Sequence, residues 1–211
     1  MALLKSRSDG PASVPDANAT GAPDLLLETL RTGPTTAARR AAALDLAGSA
    51  DAAAALAAAL GQESASEVRE AIVTALVEIG SEAAAHGLAQ YFRGEDVELR
   101  NAAVEALRQI GDPSALAMKE RLASSDPDER IFAINVLEGL RHTDTADWLR
   151  DVLAHDPDIK VGLAAVEALV QTGEAEDAAA LRAFAARFPD EPFVGFAVRL
   201  ACDRVAGQEP A

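Results

Sequence analysis

Five leucines, Leu46, Leu76, Leu107, Leu137 and Leu169, stand 30, 31, 30 and 32 residues apart, each in the same local layout. The residue seven positions before them is, in turn, Arg39, Arg69, Arg100, Arg130 and Gly162, and the residue four positions after is Ala50, Gly80, Gly111, Arg141 and Gly173. A repeat of this length admits few folds. One unit cannot bury its apolar side alone, so copies must stack, and the chain reads as a solenoid.

The copy over residues 94–122 shows what a unit contains. Val97, Ala103, Val104, Ala106, Leu107 and Ile110 recur at three- and four-residue intervals, which places them on one side of a helix, with Arg100, Asn101, Glu105 and Arg108 on the other. Gly111 is expected to end that helix in the left-handed conformation. Asp112 is then expected to cap a second helix whose first residue is Pro113. Ala115, Met118 and Leu122 share one side of that helix. Each unit is therefore an antiparallel helical hairpin with a very short turn.

The same layout predicts twelve helices, five pairs and one cap at each end. Leu25, Leu26, Leu27 and Leu30 give the first cap its apolar side, and Gly33-Pro34 stops it. A lone amphipathic helix over 191–205 closes the far end. Residues 1–22 mix Ser, Pro, Gly, Asp and Asn without a period and are expected to form a disordered arm. The solenoid then spans 23–206, and 207–211 form a polar tail.

The acidic-Pro starts, the Val/Leu-Arg pairs, Ala-Ala-x-x-Ala-Leu and Ile-Gly-Asp resemble the short HEAT-like repeats first described in bacterial phycobilisome (bilin) lyases, over about residues 24–205. The resemblance implies an all-α fold, a right-handed α-solenoid of about five HEAT-like hairpins. It also implies first helices on the convex side and second helices on the concave side. A ladder would join the recurring arginines to the capping residues Asp96, Asp126 and Asp158, broken by Gly162 in the fifth unit and by Ala65 in the second.

Composition removes several classes of function. With 34 acidic and 19 basic residues the net charge is −15, which repels nucleic acid and anionic membrane surfaces. No stretch approaches the roughly 20 apolar residues of a membrane span. The single Cys202 cannot form an internal disulfide, and the N-terminus lacks the apolar run of a secretory signal, so a cytoplasmic setting is expected. Cys202 reads as a structural thiol. His86, His142 and His155 lie in separate units and are followed by Gly87, Thr143 and Asp156, not by the glutamate of His-Glu metal motifs. Neither a metal nor another cofactor is expected. The Asp-Pro-Asp runs at Asp126 and Asp156 read as helix caps, because the remaining ligands of a calcium loop are missing.

What remains is a surface. His86, Gln90, Lys119, Trp148 and Asp151 fall on second helices and are expected to project into the groove, with Trp148 as the one large anchor. His86, Ala117 and Trp148 form one column of that face. Trp148 filling a gap in an alanine-rich core is the competing reading. Tyr91 and Phe92 read as packing residues, and Phe132, in the place of Ala71 and Ala102, as a local enlargement of the core. These observations favour a non-catalytic, monomeric scaffold or adaptor that binds a protein or peptide along the concave surface. The resemblance leaves one alternative, a bilin-lyase-like enzyme or its accessory subunit acting on a chromophore-binding protein.

Overall fold

A computed structural model describes residues 22–140 and 142–207. Apart from Ala22 and Gly207, the expected arm and tail lie outside these described residues, as does Arg141. Among the described residues there are twelve α-helices and no strand. They are α1 (Ala22–Thr32), α2 (Thr36–Asp45), α3 (Ala53–Leu60), α4 (Ser66–Ile79), α5 (Glu82–Ala89) and α6 (Val97–Ile110). The order continues with α7 (Asp112–Arg121), α8 (Pro127–Glu138), α9 (Thr145–His155), α10 (Ile159–Thr172), α11 (Ala178–Arg187) and α12 (Pro192–Ala206). Five hairpins with a single helix at each end match the expected count, and the chain is an α-solenoid.

The helices form two layers. First helices α2, α4, α6, α8 and α10 pack in succession and end on α12, while α1, α3, α5 and α7 form one run of the second layer and α9 and α11 another. The five repeat leucines lie between the layers, every one of them at 0% exposure. Alanines at the other facing positions, such as Ala75, Ala103 and Ala133, let helices approach closely and are themselves fully buried. The core is not continuous along the stack. One cluster runs from Leu30 to Leu140, and a second, begun by Ile134, covers the remainder through Val205.

Local chemistry sets the helix ends. Thr35, Ser81, Asp96, Asp126 and Asp158 accept hydrogen bonds from backbone N–H groups of the first turns that follow them. Gly80 ends α4 in the left-handed region, at φ 58° and ψ 24°. The third unit departs from expectation. Gly111 has φ 79° and ψ −138° and is itself the residue between α6 and α7, so Asp112 is the first helical residue and not the cap. Ser114 completes the turn by donating to the Leu107 carbonyl at 2.8 Å. Val97 is 53% exposed and Ile110 is half-buried, at the two ends of α6. Gly173 ends α10 at φ −88°, outside the left-handed region.

The arginine ladder exists; of its three expected acidic partners Asp96 takes part, and Asp126 and Asp158 do not. Each arginine reaches back six residues to a loop carbonyl: Arg39 to Gly33 at 3.0 Å, Arg69 to Glu63 at 2.5 Å, Arg100 to Gly94 at 2.8 Å and Arg130 to Ser124 at 2.9 Å. The same guanidinium then reaches forward to a carboxylate at the start of the next unit. Arg39 meets Glu63, Arg69 meets Asp96 and Arg130 meets Asp156. Asp126 and Asp158 only cap their own helices. Glu63 and Asp156 stand two residues before the N-caps Ala65 and Asp158, so Ala65 does not break the ladder. Ser124 holds that place before Asp126 and is not acidic. Arg100 accordingly has no carboxylate and lies 5.1 Å over the Phe132 ring, which in turn packs on Phe92.

The fifth unit solves its missing arginine differently. A Cβ on Gly162 would lie 2.2 Å from the ring of Phe184, so the space an arginine stem would fill is occupied by an aromatic side chain from α11. Three residues on, Arg187 donates to the Asp156 carbonyl at 2.6 Å and also to the Leu153 carbonyl. Asp156 is the residue six before Gly162, so the carbonyl is still served, from the second helix instead of the first.

A candidate binding cleft between α7 and α9

The second layer is uneven. α5 packs closely on α3 and α7, and α9 on α11, but α7 and α9 are the loosest step, and a cleft of about 780 Å³ opens there. Volume in this range suits a ligand group or a few side chains of a partner. Lys119, Leu122 and Ala123 line it from the end of α7, and Trp148, Asp151, Val152 and His155 line it from one face of α9. The spacing on α9 is i, i+3, i+4 and i+7, so these four side chains form one stripe.

Trp148 is neither wholly in the core nor wholly exposed. It is half-buried and packs against the first core cluster, and it also borders the cleft. Its ring stacks on the His142 imidazole at 4.9 Å, and the Lys119 ammonium lies 5.2 Å from its centre. A lysine over an indole at an open site contributes on the order of 0.5–1 kcal/mol, little enough for an arriving ligand to displace it. Asp151 and His155, both exposed, meet at 2.9 Å further along the same stripe of α9. The floor is fixed by the Arg130–Asp156 pair, whose two side chains are about nine-tenths buried. Asp156 draws the Arg130 guanidinium pKa further above its usual value by accepting its hydrogen bonds.

Of the five groove residues expected from the sequence, Lys119, Trp148 and Asp151 come together here. His86 is exposed and faces Glu120 at 3.7 Å, one residue from Lys119, so it extends the same surface toward α5. Gln90 is exposed in the short 3-10 turn Gln90–Arg93 and does not line the cleft. Ala117 is buried, so its column does not face outward along its whole length. His155, Leu122 and Val152 were not anticipated, although the helical spacing from Asp151, Lys119 and Trp148 carries that information. Tyr91 and Phe92 do pack: Phe92 is buried, and the Tyr91 hydroxyl donates to the Ala57 carbonyl. Cys202 is half-buried near the Ala178 carbonyl.

Glu129, at 0% exposure, is a second site of concentrated charge. It is held by Arg93, by the Ser124 hydroxyl at 2.5 Å and by Arg121 at 3.9 Å. These contacts tie α8 to the 3-10 turn after α5 and to the end of α7. Among the described residues, no three His, Cys, Asp or Glu side chains are placed to share a metal ion, and no helix is long and apolar enough to cross a membrane.

No curated protein matches the chain. Among solved structures, an engineered protein is 18% identical over 87% of this chain and 96% of its own, with a TM-score of 0.41. An archaeal HEAT-like repeats protein from Thermococcus onnurineus NA1 is 15% identical over 90% of this chain and 93% of its own, at 0.42. A second engineered protein is 20% identical over 88% and 99%, at 0.39. The model of a PBS lyase HEAT-like repeat matches residues 99–118, which is most of α6 and most of α7. The HEAT-repeat model matches residues 23–108 and 116–195, most of the described solenoid, and the chain belongs to the HEAT-repeat family.

Proposed function

We propose that this protein is a non-catalytic scaffold or adaptor of the cytoplasm that binds another protein or peptide, with the α7–α9 cleft as its principal contact. One observation carries the reading: the only tryptophan of the chain borders the widest gap in the second layer, covered on one side by nothing firmer than a lysine. An aromatic held by packing yet open at one edge offers contact area at small entropic cost. Lys119, Asp151 and His155 around it supply both signs of charge for orientation. The net charge of −15 favours a protein partner over nucleic acid.

The test uses the full chain as bait in its native lysate, beside a Trp148→Ala variant. Binding should weaken by about thirtyfold or more in that variant, and partner addition should change the fluorescence of Trp148. A partner held equally by both proteins, with no change in fluorescence, would refute the cleft. The bilin-lyase reading draws on the match over residues 99–118 alone, which touches only the Lys119 side of the cleft from outside. Purified protein that attaches a bilin to an acceptor would favour it over the scaffold.

A further inference from the structure

α12 packs on α10 and α11 by one face and leaves its other face exposed. Phe193, Phe196 and Leu200 are 66%, 56% and 46% exposed and follow one another at i, i+3 and i+7, a single apolar stripe opposite the buried Val194, Val198, Ala201 and Val205. Half of the large apolar side chains exposed among the described residues lie on this one helix.

We infer that α12 is a self-association surface, and that two copies of the chain pair through it antiparallel about a two-fold axis near Phe196. Three features select a second copy as the occupant. The first is charge. Residues 178–207 carry four arginines against Asp190, Glu191 and Asp203, a net of +1, while the chain as a whole is at −15. A second copy therefore meets little charge repulsion at this end. The second is polarity along the helix: exposed Asp190 and Glu191 precede α12, while exposed Arg199, Asp203 and Arg204 give its C-terminal half a net charge of +1. A two-fold axis near Phe196 brings the acidic end of one α12 to Arg204 of the other. The third is that the stripe matches itself. The same axis sets Phe193 against Leu200 of the second copy, with Phe196 near its own equivalent, which is the reciprocity an isologous contact requires.

The exposed area sets the strength. The three side chains offer on the order of 300 Å² per copy. With flanking groups, a pair would bury roughly 1,000 Å², the size of a reversible contact and not of an obligate dimer. This surface is separate from the α7–α9 cleft, and its test does not depend on any partner.

Sedimentation velocity on the full chain should show the average mass rising from one copy to two, and no further, between about 10 µM and about 1 mM. Phe196→Asp, at an exposed position, should leave the circular dichroism melt unchanged and weaken association at least tenfold; Leu200→Asp serves as the second variant. Arg204→Asp should weaken it severalfold, and Asp190→Arg combined with Arg204→Asp should restore it. A single-copy mass at every concentration overturns the inference, as does association that survives both stripe variants. Failure of the double charge swap to restore association overturns the antiparallel pairing.

Discussion

Gly162→Ala tests the exchange at the fifth unit because two effects of known sign oppose one another. Gly162 closes the first turn of α10 and is buried, so alanine should gain at most about 1 kcal/mol in helix propensity. Against this, its Cβ would lie 2.2 and 2.3 Å from two ring carbons of Phe184, more than 1 Å inside normal contact. The ring cannot swing into solvent, since Phe184 is 1% exposed and also packs edge-on against Phe188 at 5.3 Å. Forcing a methyl into a filled core costs typically 1–3 kcal/mol, and this site is tighter than most. We expect a net loss of about 1–2 kcal/mol in urea unfolding followed by circular dichroism. Phe184→Leu alone should destabilise too, but in that background Gly162→Ala should become neutral or stabilising, a coupling of about 1–3 kcal/mol between touching residues. Gly162→Ala that stabilises the wild-type chain by 0.5 kcal/mol or more, on the order of its propensity gain, would refute the reasoning.

The other expectations follow from the arginine ladder and its neighbours. Arg130→Ala should cost about 3–5 kcal/mol, because it leaves Asp156 buried and unpaired; Arg100→Ala, with no carboxylate to strand, should cost clearly less in the same assay. Accepting hydrogen bonds from Arg39 holds the Glu63 carboxyl below its usual pKa, and the Leu99 N–H together with Arg69 does the same for Asp96. A depressed folded pKa gives stability that is present above the ordinary carboxylate range of about 4 and lost as pH falls through the lower folded value. The destabilisation caused by Glu63→Gln should therefore be full at neutral pH and shrink below about pH 4.5 in thermal melts. Tyr91→Phe removes the donor to the Ala57 carbonyl and should cost about 1 kcal/mol, while a change near zero would show that the carbonyl is served by water.

The helix count and the register were legible because they rest on local signals. The 3.6-residue period, glycine at the turns and Asp or Ser before a first turn all act within four residues of one another. The leucine of each repeat told where the core lies. The ladder partners were not legible in the same way: Arg130 meets Asp156 across 26 residues, and sequence offers both Asp156 and the cap Asp158 at nearly the same distance. The distinction depends on which of two neighbouring carboxylates turns back along the stack, and that is fixed by the loop. The cleft was half legible. Lys119, Trp148 and Asp151 were placed on the right helices, but the gap that joins them depends on how far apart α7 and α9 stand, which no residue announces. Gln90 lies outside the cleft, in the exposed 3-10 turn that follows α5.

The Phe184 and Arg187 substitution for the missing arginine bears on how such an array can lengthen. The first four arginines all take their carbonyl from the loop just before their own helix, so each of those units is a cassette that could be copied whole. The fifth borrows both its filling and its hydrogen bonds from α11, and α11 in turn is seated on α12. Hairpin and end helix therefore form one indivisible piece. A duplication ending inside it would leave Gly162 facing a void and the Asp156 carbonyl without a donor. Growth of this array is expected upstream of α10, with the terminal three helices inherited as a block.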